Sequence, residues 1–141
     1  MYPKVLDRRG TAYERNGEWT LAEKDLLLSL EIDPNQAYTL NYLAYTWIEQ
    51  NRKTEKALSM LEKADNLKKN DGYITDSLGW AQYKLKNFSE AKFYLERAIQ
   101  MMPNDPIVND HFADCLWMID KKIQARYYWE YVLTLEAVSY T

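Results

Sequence analysis

Residues 72–105 read GYITDSLGWAQYKLKNFSEAKFYLERAIQMMPND, and the fold can be read outward from them. Leu78, Ala81 and Leu85 recur at three- and four-residue spacing. After a break at Lys86 and Asn87 the pattern resumes with Ala91, Leu95, Ala98 and Met102. Small and apolar side chains at that spacing line one side of an α-helix, so the stretch predicts two amphipathic helices joined by a tight turn. Ser89 followed by Glu90 suits the start of the second helix. Pro103 cannot continue a helix interior, which places the end near Met102.

The same punctuation recurs along the chain. Gly10 and Gly79 are 69 residues apart, and this offset also relates Trp19 to Phe88, Ala22 to Ala91, Leu26 to Leu95 and Pro34 to Pro103. An offset of 34 relates Leu78 to Phe112, Gly79 to Ala113, Ala91 to Ala125, Leu95 to Trp129 and Asp71 to Asp105. Leu43, Ala44, Ala57, Leu61 and Ala64 supply the missing unit, with one extra residue between Ala44 and Ala57. Four units, 3–36, 37–71, 72–105 and 106–139, therefore tile one domain over 1–141. Turn residues mark their boundaries at Asp33-Pro34-Asn35, Lys69-Asn70-Asp71-Gly72 and Pro103-Asn104-Asp105-Pro106. Eight helices are expected near 4–15, 18–31, 37–50, 53–68, 73–85, 89–102, 107–119 and 122–136, with no strand. A helix pair of this length cannot bury all its apolar surface alone, so each pair stacks on the next and an all-α solenoid results. Gly10, Ala44, Gly79 and Ala113 let the helices of a pair approach closely, and Leu26, Leu61, Leu95 and Trp129 fill the space between pairs.

Composition narrows the function. The 141 residues carry 18 basic and 21 acidic side chains, a net charge of -3, which is the wrong sign for neutralising a phosphate backbone. Nucleic acid is not expected as a partner. A single cysteine, Cys115, and a single histidine, His111, cannot build a multi-histidine or multi-cysteine metal site, and no cofactor is expected. Lys4, Asp7, Arg8 and Arg9 interrupt any apolar stretch of a signal peptide, and no run approaches a membrane span of ~18 apolar residues. His111 and Cys115 stand four apart on one helix, the spacing of a Cys-His dyad. Cys115, however, shares a repeat column with Ala12, Thr46 and Ala81, where a small side chain packs between helices. Glu62 with Asp65, and Glu18 with Glu23, fall at solvated positions, and no two glycines lie close enough for a phosphate loop. No residue pattern argues for an enzyme.

Unit 3, through Leu78-Gly79, Ala91, Leu95 and Pro103, and unit 1, through Gly10, Tyr13, Ala22 and Pro34, resemble the tetratricopeptide repeat. Arg9 in place of leucine, Gln82 in place of tyrosine, Lys69 in place of proline, and Ala44 and Ala113 in place of glycine depart from its pattern. The stretches 71–81 and 104–111 are similar to the C-terminal arrays of large Gram-negative, particularly alphaproteobacterial, proteins of this family, which carry further repeats before this point. The resemblance implies a right-handed α-α superhelix whose first helices line a concave binding face.

On that face the register sets Lys4, Asp7, Thr11 and Glu14 in unit 1 and Tyr38, Asn41, Tyr45 and Ile48 in unit 2. Unit 3 adds Tyr73, Asp76, Trp80 and Tyr83, and unit 4 adds Ile107, Asp110, Asp114 and Trp117. The lysine, asparagine and arginine clamp by which some members hold a terminal carboxylate is missing, since Asp7, Thr11, Tyr73 and Ser77 stand in its places. An aromatic groove edged with acids is expected to hold a neutral or basic segment of another protein, with Trp80 as an anchor and Asn41 on the peptide backbone. The alternatives are a self-assembly module and a regulatory or targeting arm of a larger protein. For assembly the expected surface is the uncapped last helix, with Tyr128, Trp129, Val132 and Leu135.

Overall fold

Asp71 and Asp105 each begin a helix in the same way. In both, the carboxylate Oδ1 accepts hydrogen bonds from the backbone N–H groups two and three residues ahead, at 2.9–3.1 Å, satisfying donors that a helix start otherwise leaves orphaned. Pro106 follows the second of these caps at the first helical position, where its missing N–H costs nothing. The computed structural model describes residues 3–139, with the side chains of residues 7, 138 and 139 also outside the described set. The expected groove acid Asp7 therefore lies outside the described residues.

Among the described residues eight α-helices follow one another with no strand. They are α1 (Pro3–Arg15), α2 (Trp19–Ile32), α3 (Ala37–Glu49), α4 (Thr54–Leu67), α5 (Gly72–Lys84), α6 (Phe88–Met101), α7 (Pro106–Met118) and α8 (Lys122–Ser139). Helix α6 begins at Phe88 behind Asn87, one residue before the Ser89 start expected, and α8 runs past 136 to Ser139.

Two positions past the end of each first helix stands a residue with left-handed backbone: Gly17 at φ 78°, Asn51 at 55°, Lys86 at 66° and Asp120 at 65°. After each, the next N–H reaches back five residues to a carbonyl, as in Asn87 N–H to Gln82 O at 2.8 Å and Lys121 N–H to Leu116 O at 2.8 Å. This closure reverses the chain and lays the second helix against the first.

Helices pair as α1 with α2, α3 with α4, α5 with α6 and α7 with α8, and successive pairs stack through α2 on α3, α4 on α5 and α6 on α7. Gly79 shows why the pairs close tightly: a Cβ there would fall 2.6 Å from Leu95 Cγ. Leu26, Leu61 and Leu95 are fully buried; Leu26 and Leu95 lie against Gly10 and Gly79 of their own pairs and share a core cluster with the unit that follows. The molecule is a right-handed solenoid of four stacked helix-turn-helix units. The first helices α3, α5 and α7 touch in succession, whereas no comparable contact joins α2 to α4, α4 to α6 or α6 to α8 among the described residues. Closure on the side of the first helices makes that side concave.

Arg9, which interrupts the leucine column, makes a two-point ion pair with the buried Asp25, Nε to Oδ2 at 2.6 Å and Nη2 to Oδ1 at 2.9 Å. Glu23 is not simply solvated: it accepts from Trp47 Nε1 and lies 3.6 Å from Arg52 Nη2, tying α2 to the second unit.

Candidate functional site

The concave face has a floor and an exposed ladder. The floor centres on Trp80 of α5. Its ring stacks on His111 of α7 with centroids 3.9 Å apart and on Tyr83 with centroids 4.6 Å apart, and its Nε1 donates to Glu49 Oε1 of α3 at 2.6 Å. Covered on both faces, Trp80 is only 7% exposed, so a ligand cannot stack on it as an anchor; its indole belongs to the packing between units.

His111 finds its partner across the repeat rather than along its own helix. Its Nδ1 lies 3.0 and 3.1 Å from the two oxygens of Asp76, one repeat earlier, and since a carboxylate can only accept, Nδ1 carries the proton. Nε2 faces the Tyr45 hydroxyl at 3.5 Å. Asp76 is thus buried and already paired, which takes it out of the set of acids expected to meet a ligand. His111 and Cys115 do not form a dyad. Cys115 Sγ points to the Phe88 carbonyl at 3.6 Å, and burial, with a smaller contribution from Asp114, pushes its thiol up to about 11 against the opposing pull of Lys92. A thiol held protonated in this way is a poor nucleophile. Among the described residues no three His, Cys, Asp or Glu side chains converge as metal ligands.

The ladder lies about two turns from Trp80 toward the helix starts. Tyr38, Tyr73 and Ile107 occupy one repeat column and are 51%, 59% and 57% exposed. Tyr38 donates from its hydroxyl to Asp71 Oδ2 at 2.6 Å, with Lys68 Nζ 4.5 Å from its ring centre. Beside the ladder a cavity of about 170 Å³ opens between α3, α5 and the start of α7, lined by Asn41, Tyr45, Tyr73, Asp76, Asp105 and Ile107 among others. Burial first, then the charges of Glu49, Asp76 and Asp105, hold the Tyr45 phenol well above its ordinary value.

The expected groove residues therefore separate. Tyr38, Tyr73 and Asp110 are exposed, Asn41, Tyr45, Tyr83, Asp114 and Trp117 are half-buried, and Asp76 and Trp80 are buried. Ile48, also expected on the face, is fully buried in the core. Trp117 leans on Trp129 with centroids 5.5 Å apart and has Lys122 Nζ 4.9 Å above its ring. Burial and the neighbouring Asp110 raise the Asp114 carboxyl above the usual carboxylate range, against the opposing pull of His111, Trp129 and Lys84. The Asp76–His111 pair escaped sequence reading because its partners are 35 residues apart and no local spacing marks them.

A family model described as tetratricopeptide repeat matches residues 76–105. TPR repeat-containing protein PA4667 of Pseudomonas aeruginosa is 31% identical over 109 residues, 75% of this chain and 18% of that protein. The chain belongs to the tetratricopeptide repeat family. Type IV pilus assembly protein PilF of the same organism is 27% identical over 119 residues, 84% of this chain and 47% of PilF. Its solved structure shares the fold at a TM-score of 0.78 and 23% identity, over 94% of this chain and 60% of that one. A third likeness is the first TPR of Spaghetti (RPAP3), solved bound to the HSP90 peptide SRMEEVD, with a TM-score of 0.75 and 20% identity over 84% of this chain and 93% of that one. The chain spans less than half the length of the two curated relatives. Among the described residues of this tetratricopeptide array no helix is long and apolar enough to cross a membrane.

Proposed function

We propose that the array is a protein-binding scaffold that holds a segment of a partner protein across the concave face of α3, α5 and α7. The observation that carries this reading is the exposed ladder of Tyr38, Tyr73 and Ile107 beside an open cavity, since large apolar side chains left in water in a row mark interaction surfaces. The solved TPR of Spaghetti, similar in fold, is likewise bound to a peptide. The sequence SRMEEVD is acidic, whereas this face carries Asp105, Asp110 and Asp114, so the segment held here is neutral or basic. No reaction is assigned to the chain.

The test is a displayed library of random dodecapeptides selected on the intact protein, with the best ligands measured by calorimetry. Tyr73→Ser and Ile107→Ser are expected to weaken binding tenfold or more, and Phe93→Ser on α6, exposed on the opposite side, to leave it unchanged. Sensitivity to Phe93 alone would move the site to the convex face.

A second reading, self-association, rests on α8. Ile123 is 84% exposed and Tyr127 and Leu133 are also open to solvent, while Tyr128, Trp129, Val132 and Leu135 are half-buried. Under this reading sedimentation would show concentration-dependent mass that Leu133→Lys abolishes; a monomer at every concentration would remove it.

A further inference from the structure

The contact between units 2 and 3 is repeated between units 3 and 4 with one link left open. Tyr38 of α3 reaches Oδ2 of Asp71, the acid that caps α5. The equivalent pair one unit on is Tyr73 of α5 with Asp105, the acid that caps α7, and among the described residues no hydrogen bond joins them. The cap engages Oδ1 of Asp105 alone. Tyr73 instead stands exposed, and the cavity of about 170 Å³ occupies the gap.

Asn41 of α3 closes the far side of that gap. Its Oδ1 is buried and has no hydrogen-bond partner in the protein, an arrangement that native structures avoid unless something else supplies a donor. The cavity thus offers an orphaned acceptor and a carboxylate edge, with a largely apolar wall from Tyr45, Tyr73, Ile107 and Val108. No lysine or arginine is among its lining residues, and His111, which meets the lining residues Asp76 and Tyr45, is turned to Asp76. An acidic side chain would be repelled. An aliphatic one would leave Asn41 Oδ1 unsatisfied, and a backbone N–H would satisfy it without filling the volume or answering Asp105.

We propose that this cavity takes one basic side chain of the bound segment, its stem against Tyr73, Ile107 and Val108 and its cationic head on Asn41 Oδ1 and Asp105 Oδ2. The proposal rests on the concave-face reading above and adds the chemistry of its principal subsite. Lysine and arginine share that chemistry, an apolar stem ending in charged donors.

The test uses the peptides selected on the intact chain. The strongest ligand is expected to contain a lysine or arginine whose neutral isostere, acetyl-lysine or citrulline, binds at least tenfold more weakly. Asn41→Leu removes the acceptor, and Asp105→Asn removes the charge while asparagine keeps the helix cap. Each is expected to weaken the basic peptide about tenfold and the neutral isostere no more than twofold, with the helical spectrum unchanged. Ligands that lose affinity on Tyr73→Ser or Ile107→Ser but carry no essential basic residue would overturn the subsite and leave the concave-face reading standing. Ligands indifferent to both substitutions, or a library yielding none, would overturn both.

Discussion

At the scale of single residues, the Arg9–Asp25 pair shows how one unit departs from a pattern without breaking the fold. The columns these two occupy hold Leu43 with Met60, Leu78 with Tyr94 and Phe112 with Tyr128 in the other units, the last pair packed edge to face with centroids 5.0 Å apart. Unit 1 replaces an apolar contact by a two-point ion pair, and Arg9→Leu alone would strand the buried Asp25 carboxylate. The single variant is expected to lower the thermal midpoint clearly, and the double variant Arg9→Leu, Asp25→Met to recover most of the loss. The hydrogen bond from Arg9 holds the Asp25 carboxyl below its usual range, against burial that raises it. Its contribution is therefore present above the unfolded carboxylate value of about 3.9 and lost as pH falls through the lower folded value. The gap between wild type and Asp25→Asn in a melting series should close toward pH 2. Asp114 has the opposite sign. Burial and Asp110 raise its carboxyl, so its stability cost is absent below the unfolded value and appears as pH rises through the folded one. Asp114→Asn should melt higher than wild type at pH 7 and alike at pH 3.

At the scale of helices and turns, legibility depended on whether chemistry repeats. Glycine, alanine and leucine recur in their columns because the close approach of two helices admits little else, and the eight helices followed from them to within a residue or so, except at the end of α8. The left-handed turn residue recurs just as regularly in backbone, yet its column reads Gly17, Asn51, Lys86, Asp120. Lysine has no preference for that conformation, so side-chain identity concealed a position the fold requires. Lys86→Gly should stabilise the protein by roughly 1 kcal/mol in denaturant unfolding, since a left-handed backbone costs a residue with Cβ about that much. Gly79→Ala should do the reverse. With its new Cβ 2.6 Å from Leu95 Cγ, it is expected to cost about 1–3 kcal/mol, and no loss would mean that α6 shifts freely on α5. The groove was read less well than the turns for a related reason. The register shows which residues face the concave side, but the depth of each depends on what the next unit lays over it, as with Trp80 beneath His111.

At the scale of the whole molecule, each unit packs mainly on its neighbours, Tyr45 of unit 2 reaching His111 of unit 4 across the concave face, so stability is close to a sum of unit terms and interface terms, and damage at one interface should stay largely local. The interface between units 3 and 4 holds the buried Asp76–His111 hydrogen bond and the stacking of His111 on Trp80. His111→Ala removes both and leaves Asp76 buried without its partner, a loss on the order of 2 kcal/mol by the usual worth of a hydrogen bond to a charged group. The loss should not spread evenly. Hydrogen exchange is expected to show faster opening of the amides in α7 and α8 by about that free energy, while α1 and α2, which lie beyond unit 2, keep their protection. Since the proposed subsite draws on α3, α5 and the start of α7, the variant should also weaken peptide binding without altering a residue that the ligand touches. Uniform loss of protection from α1 to α8 would show instead that the array unfolds as one cooperative block, and the coupling between units would then exceed the stability of any single helix pair.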